Sequence, residues 1–241
     1  MFPIDKNKNF KSDLSIIVDK LRNREKFSFS KYADGEMAIL VDSQITNCDG
    51  WTFLPNEHKF YRDKLIESFQ YQDSNYFVGI GCPCCMGQES FEWMRDNSYQ
   101  NPSNLTWANI FVNSNFTEYV DKFIPLYNEY DIILVANHRS VVEDLPFDVN
   151  RFYGIGDLAW KDDYNLIDRM KEDIDKENIK DSLFLLCAGP LGNMLSHQLF
   201  EHNKNNTYID IGSTLNVMLG AGKNRGYLNG METLNKICVW G

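Results

Sequence analysis

The chain has 241 residues, 43% of them hydrophobic and 14% aromatic, and a formal net charge of −10 with a pI near 4.9. This is enough apolar material for a packed core in one large domain or two small ones, and the acidic balance argues against a broad electrostatic footprint on nucleic acid, which calls for clustered Lys and Arg. No run approaches the ~18 apolar residues of a membrane span, the opening MFPIDKNKNFKSD lacks the apolar core of a secretory leader, and six irregularly spaced cysteines do not read as a disulfide scaffold, so the expectation is a cytoplasmic protein with reduced thiols.

From the amino terminus, helical spacing of Leu14, Ile17, Val18 and Leu21 is followed by an apolar strand over Phe27 to Tyr32. A second helical pattern (Phe60, Leu65, Ile66, Phe69) leads to strands at Tyr76 to Ile80 and Trp107 to Val112. Further strands are expected at Asp131 to Ala136 and Phe152 to Ile155. A helix carrying Leu166, Ile167, Met170 and Ile174 then precedes strands at Leu183 to Cys187 and Tyr208 to Ile211. Strand and helix alternate, and runs such as DIILVA and LFLLCA are too continuously apolar for a sheet with one wet face. The reading is α/β: a single doubly wound, mostly parallel sheet with helices on both faces, Rossmann-like, spanning residues 1–241. The charged stretch from Lys161 to Asp181 reads as a solvated helix face.

Ligands of such sheets lie beyond the carboxyl ends of the strands, so the loops that follow strands carry the most weight. In FSKYADGEMA (29–38), Asp34 and Glu36 flank Gly35 at a strand end. If the segment stays extended they aim hard oxygens at a shared Mg²⁺ or Mn²⁺. If it starts a helix, Asp34 is its N-cap and Glu36 answers the helix dipole. In LCAGPLGNML (186–195), the strand runs into Gly189, Pro190, Leu191, Gly192 and Asn193, a turn whose free N–H groups suit a diphosphate or serve only to start a helix. IDIGSTLNVMLG (209–220) repeats the pattern with Asp210, Gly212 and Ser213, and GAGKNRGYLNG then offers Lys223 and Arg225 to an anion or to solvent. GIGCPCCMG (79–87) packs Cys82, Cys84 and Cys85 together. No second Cys/His pair lies nearby in sequence, so the three thiols are expected to line a pocket without binding zinc.

In this order, a strand-terminal D-G-E, an LxxxGP turn into a helix and an IDIG strand, the chain resembles the glycosyltransferases of the GT-D fold, also known as DUF1792. Where that family tends to have Arg, an aromatic and Gly before its D-x-E motif, this chain has Lys31, Tyr32 and Ala33. Its TLNVMLG also replaces a His-containing stretch. The resemblance implies a nucleotide-sugar-dependent glycosyltransferase in which Asp34 and Glu36 bind the divalent metal (Mn²⁺ or Mg²⁺) that holds the donor diphosphate. It favours a UDP-sugar, with a glycan, a glycosylated protein or another hydroxyl compound as acceptor. Gly189 to Gly192 with Asp210 and Gly212 carry over as the donor-binding pattern.

Such a reaction needs charge stabilisation on the leaving diphosphate and a base for the acceptor hydroxyl. Arg139 or Arg225 are candidates for the first role and Asp157, in YGIGDLAW, for the second; Asp157 as a helix N-cap and Asn137, His138 and Arg139 as exposed or capping residues are the competing readings. A non-catalytic nucleotide-binding module, a nucleotide-sugar hydrolase and a methyltransferase remain alternatives, separated by metal-dependent turnover and by the absence of a clean GxGxG loop after the first strand.

Overall fold

The computed structural model describes residues 1–48, 50–223, 225–229 and 234–241. In chain order they form α1 (Phe10–Arg22), β1 (Ser28–Lys31), α2 (Asp34–Leu40), an antiparallel hairpin of β2 (Ile45–Thr46) and β3 (Thr52–Phe53), α3 (Lys59–Gln70), β4 (Tyr76–Ile80), α4 (Pro83–Met86), α5 (Gln88–Asn97) and β5 (Leu105–Trp107). There follow α6 (Phe116–Glu118), β6 (Ile132–Asn137), β7 (Arg151–Ile155), α7 (Ala159–Asp162), α8 (Leu166–Glu177), β8 (Leu183–Leu186), α9 (Pro190–His202), β9 (Thr207–Asp210) and α10 (Gly226–Asn229). Seven strands make one sheet in the order β5-β4-β1-β9-β8-β6-β7, and every neighbouring pair is parallel. The doubly wound α/β reading holds.

Side chains alternate across this sheet with the two-residue period of a strand, so each strand feeds two cores. Phe27, Phe29, Phe77, Leu134, Leu183, Leu185 and Ile209 face one core, closed by α1 and by the helical turns from α6 through Glu129. Tyr76, Val78, Ile133, Val135, Phe184, Leu186 and Tyr208 face the other, closed by α3, α8 and α9. Truncating one of the fully buried leucines, such as Leu185, costs about 2–5 kcal/mol. β1 is the exception, because its second face carries Ser28 and Ser30. Those hydroxyls meet α9, Ser28 donating to the Ser196 carbonyl at 2.7 Å and Ser30 accepting from the Asn193 amide at 3.0 Å, which lets that helix lie close to the sheet.

The strand expected over Trp107 to Val112 is placed differently. β5 ends at Trp107, and the chain then coils through short turns, with Ile110 N–H donating to the Trp107 carbonyl and Val112 N–H to the Asn109 carbonyl. Continuous apolarity marks burial, and periodicity alone cannot separate a buried strand from buried turns. The β2–β3 hairpin was not anticipated either. Its strands have two residues each, too short to show alternation. No helix among the described residues is long and apolar enough to cross a membrane.

The strand order places the site. β6 connects outward to the edge strand β7, whereas its neighbour β8 connects inward to β9. The loops leaving the carboxyl ends of β6 and β8 therefore diverge and leave a crevice between them.

Candidate active site

That crevice is a cleft of about 840 Å³. Its walls are the turns after β1 (Lys31, Ala33 to Glu36), β6 (Asn137, Arg139, Ser140), β7 (Gly156, Asp157), β8 (Cys187, Ala188, Gly189) and β9 (Gly212, Ser213, Thr214), with Trp51 from the hairpin and Arg225 and Tyr227 from the C-terminal part of the chain. Segments far apart in sequence meet here because parallel strands send all their carboxyl ends to one edge of the sheet.

At the β1 end the chain turns directly into α2, so the extended geometry that would converge Asp34 and Glu36 is absent. The N-cap is Ala33, and Asp34 is the first helical residue. Residues two apart on a helix do not face each other. Glu36 bends back so that one carboxylate oxygen accepts from the Ala33 N–H at 2.9 Å, satisfying a donor that the helix itself leaves open. Glu36 is nearly buried, and burial pushes its carboxyl upward, opposed by Lys31. Asp34 is exposed, and both residues line the cleft. A Cβ on Gly35 would sit 2.9 Å from the Trp51 ring, so this glycine lets the indole pack against the start of α2.

At the β8 end, Gly189 adopts φ 52° and ψ −140°, a conformation that L side chains rarely enter, and delivers the chain into α9 with Pro190 in its first turn. Of the five residues expected to cradle phosphate, only Gly189 lines the cleft. Pro190, Leu191, Gly192 and Asn193 are buried inside the first turn of α9. Asn193 turns sideways, donating to Ser30 Oγ and to the Lys31 carbonyl at 2.7 Å. Gly192 faces Asp210, whose carboxylate carbon lies 3.6 Å from the position of an added Cβ. Here the glycine-rich appearance reflects helix-to-strand packing, with a single residue at the cleft edge.

Asp210 is likewise absent from the cleft wall. It is 2% exposed, and its carboxylate accepts the backbone N–H groups of Lys31, at 3.3 Å, and Gly212, at 3.0 Å, tying β1 to the turn after β9. Burial pushes it up to about 7, with Lys31 opposing and Glu36 reinforcing the shift. Gly212 has φ 54°, and a Cβ there would meet the Lys31 ammonium at 2.9 Å. Lys31, Glu36 and Asp210 thus form one electrostatic group at the centre of the sheet edge. Ser213 lines the cleft and shares a 2.9 Å hydrogen bond with the Tyr227 hydroxyl.

On the opposite wall Arg139 donates to Asp157, which also accepts from the Asn137 amide at 2.9 Å. Asp157 is not a helix cap: α7 begins after Leu158, which makes no side-chain cap. The hydrogen bond from Arg139 holds its carboxyl below the usual carboxylate range. The loop between β2 and β3 bridges the cleft: Gly50 approaches the Asp157 side chain, Cys48 accepts from Arg225, and Trp51 reaches toward Gly189. Asp49 in that loop, and Asn224 and Gly230 beside Arg225, lie outside the described residues. Lys31, Asn47, Trp51 and Asn113 line the cleft without having been selected from the sequence as site residues; for Lys31 the available signal was its position directly before the D-G-E turn. Cys82, Cys84 and Cys85 do not line this cleft. Cys85 lines a smaller cavity of about 220 Å³ that borders Asp34.

No family model and no curated protein sequence matches the chain. Solved structures do. A glycosyltransferase (DUF1792) from Streptococcus sanguinis superposes with a TM-score of 0.59 at 14% identity, over 95% of this chain and 92% of that one. A structure of domain of unknown function 1792, described as having a distinct glycosyltransferase fold, superposes with a TM-score of 0.56 at 15% identity, over 83% of this chain and 77% of that one. The chain has the DUF1792 glycosyltransferase fold, as its short motifs led one to expect.

Proposed function

We propose that the cleft transfers a sugar from a nucleotide-sugar donor, UDP-linked in the first instance, to an acceptor hydroxyl. The observation that carries this reading is the convergence, in one strand-end cleft, of the N-terminal approach to α9 at Gly189 with three cationic side chains, Lys31, Arg139 and Arg225, and three carboxylates, Asp34, Glu36 and Asp157. In a chain of net charge −10 such a balanced cleft is locally hospitable to a diphosphate. The shared fold with DUF1792 glycosyltransferases supports the same chemistry.

A divalent ion of the Mg²⁺ or Mn²⁺ class suits the residues present. Asp34 presents an exposed carboxylate to the cleft, and Glu36 has a second oxygen beyond the one that caps α2. Asp34 would be the direct ligand of the ion, with Glu36 joining only through the oxygen that the cap of α2 leaves open, since the two do not face each other on the helix; the ion would supply Lewis-acid stabilisation of the diphosphate. The chain's own groups do the rest. Lys31 and Arg225 offset negative charge that grows on the leaving diphosphate as the sugar becomes oxocarbenium-like. Arg139 is exposed where it pairs with Asp157 along the cleft, so it can leave Asp157 for a donor phosphate. Losing that partner returns the Asp157 carboxylate toward its ordinary basicity, so donor binding itself readies Asp157 to take the acceptor proton. The bridging loop carrying Trp51 limits the entry of water that would hydrolyse the donor.

The test is thermal stability with UDP-, GDP-, dTDP- and CMP-sugars, with and without Mn²⁺, followed by assay of nucleoside diphosphate release. A donor at 100 times its Kd stabilises the fold by ~2.7 kcal/mol, a readily seen shift. One nucleotide class should stabilise in the presence of Mn²⁺ and be slowly hydrolysed without acceptor. If no donor shifts the melting temperature the reading fails; binding without release identifies a nucleotide-binding module.

A further inference from the structure

The three clustered thiols acquire a fourth in the folded chain. Cys238, 153 residues beyond Cys85, enters the same corner of the molecule, and the sulfur atoms of Cys82, Cys84, Cys85 and Cys238 all lie within 4.8 Å of one another. Cys82 and Cys84 are 3.3 Å apart and Cys85 and Cys238 4.0 Å apart. Four thiolates at ~2.3 Å from one tetrahedral ion stand about 3.8 Å from each other, a value these two separations bracket. A disulfide requires sulfurs at about 2.05 Å, so neither pair is bonded.

The local fold arranges this set. Cys82 and Cys85 have the two-residue spacing of a metal-binding turn, and that turn is α4, closed by hydrogen bonds from Cys85 N–H and Met86 N–H to the Cys82 carbonyl at 3.0 Å each. Cys238 is presented by the C-terminal segment, which is anchored on both sides. Lys236 C=O accepts from Ser114 N–H, Val239 C=O accepts from the Trp107 indole at 3.0 Å, and Trp240 packs edge-on against Phe91 and Trp107. The donors around the sulfurs suit anionic ligands. Asn113 directs its amide to Cys238 Sγ at 3.3 Å, and the Lys236 ammonium sits beside the cluster on the Cys84 carbonyl at 3.0 Å.

We infer that Cys82, Cys84, Cys85 and Cys238 bind one structural zinc ion, which fastens the C-terminal segment to the sheet edge at β4 and β5. Binding displaces the remaining thiol protons to solvent and leaves a closed four-sulfur site with no open position for substrate, distinct from the hard-oxygen site at Asp34 and Glu36.

The full-length protein, purified under reducing conditions without added metal, is analysed for metal content and thiol reactivity. The expected result is about one zinc per chain, with Cys48 alone among the exposed thiols reacting quickly until a chelator is added. Exchange for Co²⁺ should give the intense visible bands of a tetrahedral thiolate site. Cys238→Ser should weaken zinc affinity by about 100-fold or more, while Cys48→Ser, outside the cluster, retains the ion. Zinc-free protein with four freely reactive cluster thiols, a Cys82–Cys84 or Cys85–Cys238 disulfide in the native chain, or a Co²⁺ spectrum lacking thiolate character would each overturn the assignment. If Cys238→Ser does not fold, the Co²⁺ spectrum of the unaltered chain decides. Because the readouts are metal content and spectrum, they stand or fall independently of donor binding in the cleft.

Discussion

The two walls of the cleft treat their carboxylates in opposite ways. At the β1–β9 wall Glu36, and behind that wall Asp210, are buried, occupied by backbone N–H groups and pushed upward in pKa by desolvation. At the β6–β7 wall, Asp157 is exposed, shared by Arg139 and Asn137, and held low. Asp34 is the exception on the first wall, a carboxylate that α2 leaves to the cleft. Acidic residues at the ends of neighbouring parallel strands therefore divide between holding turns together and remaining free for a ligand, and the division follows from whether the next backbone segment folds over them.

The sharpest break of that comparison comes from activity. Asp34→Asn should lower metal-dependent turnover by about 100-fold or more, the scale of losing one preorganised electrostatic stabiliser, with melting temperature unchanged in the absence of metal and donor. Steady-state kinetics beside a thermal melt checks both halves, and a stability loss with activity retained would put Asp34 among the structural carboxylates. Asp210→Ala should do the reverse, costing about 1–3 kcal/mol because two part-buried backbone N–H groups lose their acceptor; denaturant unfolding reads it out. Asp157→Ala should change stability by less than about 0.5 kcal/mol while slowing turnover.

A pH scan probes the far end of α9. His197 is buried against Tyr71 and shares a 3.1 Å hydrogen bond with Ser68, and burial lowers it from 6.5 to about 4 despite Glu67, with Lys171 and Lys64 adding to the depression and Glu201 at 3.7 Å. The unfolded chain binds this proton first. The associated stability is present above pH 6.5 and is lost as pH falls toward 4, by up to about 3 kcal/mol. Asp13, raised to about 6 by burial, and Asp210 act in the opposite sense, losing stability as pH rises, so the relevant quantity is the difference from His197→Gln. Between pH 7 and 5 the variant should lose less stability than the parent, and parallel curves would show that the imidazole does not titrate with unfolding.

The smallest effect separates two glycines of one turn. Gly189→Ala should destabilise by about 1–3 kcal/mol through its left-handed backbone and disturb donor binding. Gly192→Ala meets only ordinary contacts inside α9 and should be neutral or stabilise by up to about 1 kcal/mol without altering donor affinity. Calorimetric titration of a donor into both variants distinguishes them, and weakened donor affinity for Gly192→Ala would return the phosphate to that residue.

The sequence by itself determined the class of the sheet, since runs such as DIILVA at β6 and LFLLCA at β8 have no wet face and must be covered on both sides. It also determined which loops matter, because parallel strands send every carboxyl end to one edge, and Asp34, Arg139, Asp157, Gly189 and Ser213 all line the cleft formed there. Only the tertiary structure decided which members of each motif face outward. Gly192, Asn193 and Asp210 have the residue types of a ligand site, but the close approach of α9 to β1 and β9 takes the space of Gly192 and the amide of Asn193, and the backbone N–H groups of Lys31 and Gly212 take the carboxylate of Asp210. The same holds for sulfur. Nothing local to Cys82, Cys84 and Cys85 announces Cys238, because a partner 153 residues away is brought in by packing of the C-terminal segment on Trp107 and Phe91, and such long-range contacts leave no periodic trace in a single chain.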